Sequence, residues 1–287
     1  MSTISDGTTR HVFTAFGGAR CEVIVCAADD SAVSAVVADT YAFERRLTRF
    51  DARSELSRFN AASGARVAVS ALLGELLRVC IDAYAMSDGL VNAACLPALI
   101  AAGYDRSISQ VRRRPALPAR ASARHAVPPL PNVLEVGEGW ARLATGCAID
   151  LGGVGKGWLA DRLAERFENA VVNLGGDLRA QGRGPDAAAW VVSLCDGRLV
   201  TIRDAGVATS GTSGRRWAGG HHLIDTRTAA PAHSDIQAVS VVAESALRAE
   251  ILAKAACVTG SAAADAWLRA RGSMCHAMLP ASGARAA

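Results

Sequence analysis

Residues able to do chemistry are concentrated between Ala148 and Asp177. Ala148-Ile149-Asp150-Leu151-Gly152-Gly153-Val154-Gly155-Lys156-Gly157 runs into a helical pattern from Trp158 to Phe167, and Val171-Val172-Asn173-Leu174-Gly175-Gly176-Asp177 follows. Two apolar strands, each running into glycines and a carboxylate, flank one helix. Glycine lets a backbone take φ > 0 and come close to a ligand, and a helix N-terminus just beyond it offers N–H groups to an anion. A phosphate-bearing ligand suits this arrangement, although ordinary strand-to-helix packing uses the same residues. A P-loop is excluded by spacing: Asp150 sits where its first Gly is required, and Gly157 follows Lys156 where Ser or Thr is required. Gly153, Gly155 and Gly157 fall on alternate positions, so the Gly-x-Gly-x-x-Gly dinucleotide fingerprint is absent as well.

Asp150 to Gly157 resembles the Asp-Leu-Gly-Gly-x-Ala-Lys-Gly signature of the FAD:protein FMN transferases, the ApbE-like family, with Gly155 in place of Ala. Asn173 to Asp177 is similar to the Asn-Leu-Gly-Gly-Asp that follows it there. Other stretches resemble the family in family order. Phe16-Gly17-Gly18 takes the place of Met-Gly-Thr, and Ser54-Glu55-Leu56-Ser57-Arg58-Phe59-Asn60 is similar to Ser-Glu-Leu-x-x-x-Asn, with Phe50 as the aromatic before it. Ser87 to Pro97 resembles a turn in which Asn92 replaces the usual Asp and Ala93 the Pro. Val207 to Thr212 resembles an Ala-Thr-Ser-Gly turn. His221 to Thr228 resembles Ser-His-Ile-Ile-Asp-Pro-x-Thr-Gly, with His222 on the family histidine and with Thr226 and Ala229 replacing Pro and Gly.

The resemblance, from Phe16 to about Gly260, implies a mixed α/β (α+β) fold of two lobes with the FAD site between them. It also implies the reaction: the pyrophosphate of FAD is split, FMN is joined by a phosphoester to a Thr or Ser of a target flavoprotein, and AMP is released. Phe16, Phe50, Leu90, Val91, Asn92, Asp150, Lys156 and Leu223 then fall at FAD-binding positions, the two Phe rings against flavin or adenine and Lys156 near phosphate or ribose. Asn92 can hydrogen-bond a nucleotide but carries no charge and takes no part in proton transfer. His222 is the candidate base, because an imidazole of ordinary pKa accepts a hydroxyl proton; neighbouring His221 is its internal control. Asp177 is read as bracing the second glycine turn. Two alternatives stay open: an FAD pyrophosphatase with water as acceptor, and a non-catalytic FAD-binding or flavin-delivery protein, which Asn92, Lys254 and the altered turn after Asp225 favour.

In the resembled helix, Ala-Asp-Ala-Leu-Ala-Thr-Ala, the Asp and Thr hold a divalent metal together with a backbone carbonyl of the glycine loop, which corresponds to Gly153. This chain reads Ala249-Glu250-Ile251-Leu252-Ala253-Lys254-Ala255. Glu250 can stand for the Asp, but a protonated Lys254 cannot ligate Mg2+. Three arrangements remain open: a surface Glu250–Lys254 pair at i,i+4, Lys254 holding the pyrophosphate in the metal's place, or Mg2+ on Glu250, the Gly153 carbonyl and waters with Lys254 turned aside.

The elements that must position these residues can be read from periodicity and turn residues. Val12 to Phe16 and Cys21 to Val25 read as strands turned at Gly17-Gly18, after a disordered start through Arg10. Ser31 to Leu47 reads as a helix capped by Asp29 or Asp30, and Leu72 to Met86 as a second. Residues 105–132 read as an exposed Arg- and Pro-rich loop, including Arg112-Arg113-Arg114-Pro115. Val133 to Val136 and Trp140 to Leu143 form a hairpin, and Leu178 to Gln181, Trp190 to Cys195 and Leu199 to Ile202 a meander. Ala238 to Ala243 is a strand, Ser245 to Val258 a helix, and Cys275 to Leu279 a last strand after a helical run through Trp267 and Leu268. Residues 11–287 are read as the transferase domain.

The chain has 287 residues, 51% hydrophobic and 20% charged, with a formal charge of +4. That is a globular composition long enough for a substantial core. Its arginines are scattered and few aromatics accompany them, which argues against a nucleic-acid surface. None of the 8 cysteines forms a CxxC pair, so buried reduced thiols are expected rather than zinc. The polar first ten residues carry no export signal and no 18-residue apolar span follows, so a cytoplasmic protein without a membrane anchor is expected, whereas many members of the resembled family are exported.

Overall fold

The computed structural model describes residues 2–4, 7–27, 30–62, 64–114, 126–185 and 188–281. In chain order it forms β1 (Ser2–Ile4), β2 (Thr8–Ala15), β3 (Ala19–Cys26), α1 (Asp30–Leu47), α2 (Glu55–Ala61), β4 (Arg66–Ala68), α3 (Ala71–Met86), α4 (Leu96–Ala101), α5 (Ile108–Arg113) and α6 (Leu130–Val133). Next come β5 (Leu134–Val136), β6 (Trp140–Leu143), α7 (Gly155–Ala164), β7 (Ala170–Leu174), β8 (Asp177–Gln181), β9 (Trp190–Ser193), β10 (Leu199–Ile202) and β11 (Ala205–Gly211). The chain continues with β12 (Arg216–Trp217), β13 (Gly220–His221), β14 (Ile224–Asp225), β15 (Ala230–Pro231), β16 (Ile236–Ala243), α8 (Ala246–Thr259), α9 (Ser261–Ala270) and β17 (Cys275–Pro280). These elements group into two units, one of Met1–Glu44, Gly155–Gly211 and Asp235–Ala287, the other of Arg45–Val154 and Thr212–Ser234.

The first unit is built on an antiparallel sheet in the order β1-β2-β3-β7-β8-β11-β16-β17. Side chains alternate across a pleated strand, and β8 shows what that alternation does. Leu178 and Ala180 join an apolar cluster with Trp190, Leu194 and Ile202 of the β9–β10 hairpin and its turns. Asp177 and Arg179 point the other way, where Asp177 meets Lys156 of α7 and Arg179 approaches Asp161. Glycine is required where α8 begins: a Cβ on Gly206 of β11 would lie 2.1 Å from the backbone of Ser245 and Ala246. Asp161 of α7 holds that helix start, accepting the N–H groups of Ala246 and Leu247 at 2.8 and 3.0 Å, while Ser245 caps Arg248. Burial pushes the Asp161 carboxyl up despite these two donors.

The second unit is held by the polar residues of its motifs. Glu55, in the first turn of α2, accepts the N–H and hydroxyl of Ser70 at 2.8 and 2.9 Å, and Ser70 in turn caps α3 through the Leu73 N–H. Asn60 exchanges two hydrogen bonds with the backbone of Ile149, at 2.9 and 2.8 Å. The Ser-Glu-Leu-x-x-x-Asn motif is therefore spent on joining distant segments. Leu73, Leu76, Leu77 and Cys80 of α3 are buried, as their helical spacing requires.

Three expectations change. Thr8, Thr9 and Arg10 lie in β2, paired with Cys26, Val25 and Ile24 of β3, rather than in a disordered start. The segment read as an exposed loop over 105–132 contains α5 and α6 and buries Val111, Val127 and Leu130; within it Arg112 binds the carbonyls of Gly214 and Arg216. The part of that loop from 115 to 125, and the Asp29 cap, lie outside the described residues. Lastly, β9 and β10 pair with each other and not with β8, so the meander is a separate hairpin.

Candidate active site

In the first unit the chemistry gathers on α7, the turn after β7, and α8. Gly175 and Gly176, both with positive φ, close the two-residue turn between β7 and β8, the conformation that hairpins of this length favour. That turn ends on Asp177, whose buried carboxylate pairs with the Lys156 ammonium. Lys156 also reaches Glu250 Oε1 at 3.1 Å. Glu250 is fully buried in α8: its Oε1 accepts from Lys254 Nζ at 3.1 Å and its Oε2 from the Gly157 N–H at 2.9 Å. Gly157 allows this, because a Cβ there would lie 2.7 Å from the Ala246 carbonyl oxygen and 2.8 Å from Leu247 Cα.

Two ammonium groups and two carboxylates thus form one network whose formal charges cancel. Burial alone pushes the Glu250 carboxyl up, but Lys156, Lys254 and the Gly157 N–H outweigh it and hold it well below the usual carboxylate range. Lys156, expected near phosphate or ribose, is spent on Asp177 and Glu250 and is 12% exposed. The surface i,i+4 arrangement is corrected, since Glu250 has no exposure at all. Gly153 lies in the turn before α7, in the second unit. Among the described residues no group of three or more His, Cys, Asp or Glu side chains is arranged to hold a metal ion.

Phe16 follows β2 with φ of 53°, uncommon for a bulky side chain. Its ring meets Phe43 edge-on at 6.5 Å, and Phe43 stacks on Trp158 at 5.9 Å. The ring is half-buried.

In the second unit Phe50 is 45% exposed and available for stacking. Beneath it lies an arginine that sequence reasoning missed. The Arg49 guanidinium sits 4.2 Å from the Phe50 centroid and 4.4 Å from that of Tyr104, with its Nε 2.6 Å from Asp150 Oδ2. Tyr104 stacks on Trp217 at 5.4 Å. The Arg49 side chain is 6% exposed, and its Nη2 is buried without a hydrogen-bond partner among the described residues. The signal was a cation directly before an aromatic. Asp150 also accepts the Gly152 N–H at 2.6 Å, so this signature carboxylate is spent within the protein.

Asn92 is similarly engaged: it caps the 3-10 turn Ala93–Cys95 through the Ala94 N–H and donates to the Pro128 carbonyl. Val91 and Leu223 are buried and Leu90 half-buried. Thr226, which replaces a proline, donates to the Gly89 carbonyl at 2.9 Å and ties this turn to the β14–β15 hairpin.

The two histidines differ. His221 is 7% exposed; its Nδ1 accepts the Leu223 N–H at 3.3 Å, so the neutral tautomer with Nε2–H donates to the Ala232 carbonyl at 3.0 Å. Burial lowers its pKa, more than the Ala232 bond raises it. His222 is half-buried between β13 and β14, its backbone N–H bonded to the Arg215 carbonyl. A lowered folded pKa means that the contribution of His221 to stability is complete above its unfolded value, about 6.5, and declines as pH falls below it. Urea unfolding of the wild type is expected to lose stability from pH 7 to pH 5 more steeply than His221→Asn; equal slopes would contradict this.

The protein is of the mixed α/β class, with a lysine–carboxylate network on one unit and an aromatic–arginine platform on the other. The chain belongs to the ApbE family, whose signature matches residues 17–279. It is 35% identical over 152 residues to the FAD:protein FMN transferase of Treponema pallidum, a match covering 43% of this chain and 41% of the relative. The chain thus spans about two fifths of the length of that relative. With the FAD:protein FMN transferase of Haemophilus influenzae identity is 23% over 255 residues, covering 79% of this chain and 71% of the relative. The fold is that of the Pseudomonas stutzeri flavinyl transferase ApbE in its apo form, with a TM-score of 0.81 at 23% identity, 99% of this chain and 94% of that one covered.

Proposed function

We propose that this chain is an FAD:protein FMN transferase. The carrying observation is the family match over residues 17–279, whose relatives bear that name. The hydroxyl oxygen of a Thr or Ser on a target flavoprotein attacks the phosphorus on the riboflavin side of FAD. The bond from that phosphorus to the bridging oxygen breaks, AMP leaves with that oxygen, and the hydroxyl proton passes to His222 and then to solvent. In this reading His222 is the base. Phe16 and Phe50 offer rings to flavin or adenine, and Leu90, Val91 and Leu223 apolar walls. Asn92 and Asp150 act by shaping their turns, since their polar atoms are engaged within the protein. The reaction belongs in the cytoplasm in this proposal; no helix among the described residues is long and apolar enough to cross a membrane.

Magnesium does not fit the residues present. Both oxygens of Glu250 are occupied by three donors, two of them cationic. A divalent ion on this carboxylate would sit beside like charges, and unit charges about 4 Å apart repel by about 4 kcal/mol per pair at an effective dielectric near 20. No step is therefore assigned to a metal.

The test is incubation of the full chain with FAD and a flavoprotein domain bearing an acceptor Thr or Ser, followed by intact mass of the acceptor and nucleotide chromatography. One FMN added to the acceptor, with AMP released, is expected. AMP and FMN with an unmodified acceptor would replace transfer by hydrolysis, and intact bound FAD under every condition would replace it by flavin delivery.

A further inference from the structure

The network on α7 and α8 leaves one question that the family reading does not answer: what neutralises the pyrophosphate when Glu250 cannot take a metal. Lys254 Nζ is 16% exposed and donates to Glu250 Oε1. An ammonium has three donors, and Glu250 is its hydrogen-bond partner among the described residues. Its position is enforced from the other side. Glu250 has no exposure and is pinned by the Gly157 N–H and by Lys156, and Lys156 is pinned in turn by buried Asp177. Asp177 and Glu250 balance the two lysines, so the network carries no surplus charge, and what it fixes is where each ammonium sits. The Lys254 ammonium lies at the partly exposed rim of that network, with donors left over beyond its bond to Glu250.

We infer that Lys254 is the anion-binding cation of this enzyme, meeting the pyrophosphate of the dinucleotide directly, so that FAD binding and turnover need no divalent metal. This rests on the transferase reading for the identity of the nucleotide. Glu250 and Asp177 are positioning residues: they set the two ammonium groups without touching substrate. Lysine serves as a compact charge for phosphate, and a fixed charge at a developing anion stabilises it without reorganisation.

The experiment measures binding separately from turnover, with the full chain, using flavin fluorescence for FAD and for riboflavin, which has no phosphate. Lys254→Met is expected to weaken FAD by about tenfold or more, the scale of one charge-assisted hydrogen bond, and to leave riboflavin unchanged. Lys254→Arg, which keeps the charge, should retain most of the FAD affinity and guards against a folding defect in the methionine variant. Wild-type FAD affinity and turnover should be the same in EDTA and in MgCl2, and Mn2+ should show no binding by electron paramagnetic resonance. Lys254→Thr, which restores an oxygen ligand and removes the charge, should bind Mn2+. Equal FAD affinity in wild type and Lys254→Met, or loss of wild-type FAD affinity in EDTA, would overturn the inference. Wild-type FAD binding without either product would overturn the transferase reading and leave the Lys254 site standing.

Discussion

His222→Ala is expected to lower FMN transfer by about 10²–10⁴-fold, the range that general-base catalysis contributes, while FAD still binds. The turn that carries His222 is organised by other groups. Its backbone N–H is bonded to the Arg215 carbonyl, and the neighbouring His221 ring spans Leu223 and Ala232. Truncating the 222 ring removes an imidazole and leaves these backbone and His221 bonds in place. His221→Asn should do the reverse, costing stability and with it some activity, but in proportion to the folded fraction. Single-turnover transfer at saturating FAD, with FAD affinity measured in parallel, separates the two. Transfer by His222→Ala within about twofold of wild type, less than any general-base contribution, would remove His222 from the mechanism.

Glu250→Gln is expected to carry the largest stability cost, about 3–5 kcal/mol, because removing one partner of a buried ionic network leaves the others uncompensated. Lys156 would then keep Asp177, and Lys254 would lose its carboxylate partner. Glutamine retains an oxygen for the Gly157 N–H, so the loss reports on charge rather than shape. Adding Lys254→Met should restore part of it, and the double-mutant cycle measures the coupling. The network also has a pH signature. Glu250 titrates below its unfolded value, so its contribution is present above about pH 4.5 and is lost as pH falls through the depressed folded value. Thermal or urea unfolding in which Glu250→Gln loses less than about 1 kcal/mol, an ordinary surface effect, would show that the carboxylate is not carrying this charge.

Much of the architecture was legible in the chain itself because it depends on local patterns. Apolar periodicity and glycine turns located the β2–β3 hairpin, the helices α1, α3, α7 and α8, and the strands that bracket the second glycine turn. The family's polar signatures were legible as residue types at fixed spacing, and they led to Asp150, Lys156, His222, Glu250 and Lys254. Pairing was not legible. Nothing in the spacing says that Lys156 meets Asp177 and Glu250, 21 and 94 residues away, or that Asp161 caps α8 across 85 residues. Arg49 was missed for the same reason: an arginine beside an aromatic is common, and only the approach of Asp150 and Tyr104 distinguishes this one.

What the sequence alone determined is most of the longer strands and helices, the family resemblance and the list of groups able to act. Backbone propensity and side-chain periodicity operate over a few residues, so they survive reading in one dimension. What only the tertiary structure decided is which of those groups are still available. Burial and long-range ion pairing depend on packing, and packing committed Lys156, Asp150 and Asn92 to internal partners. The same packing buried Glu250 beneath two lysines, and so turned a surface-looking i,i+4 pair into part of a buried ionic network.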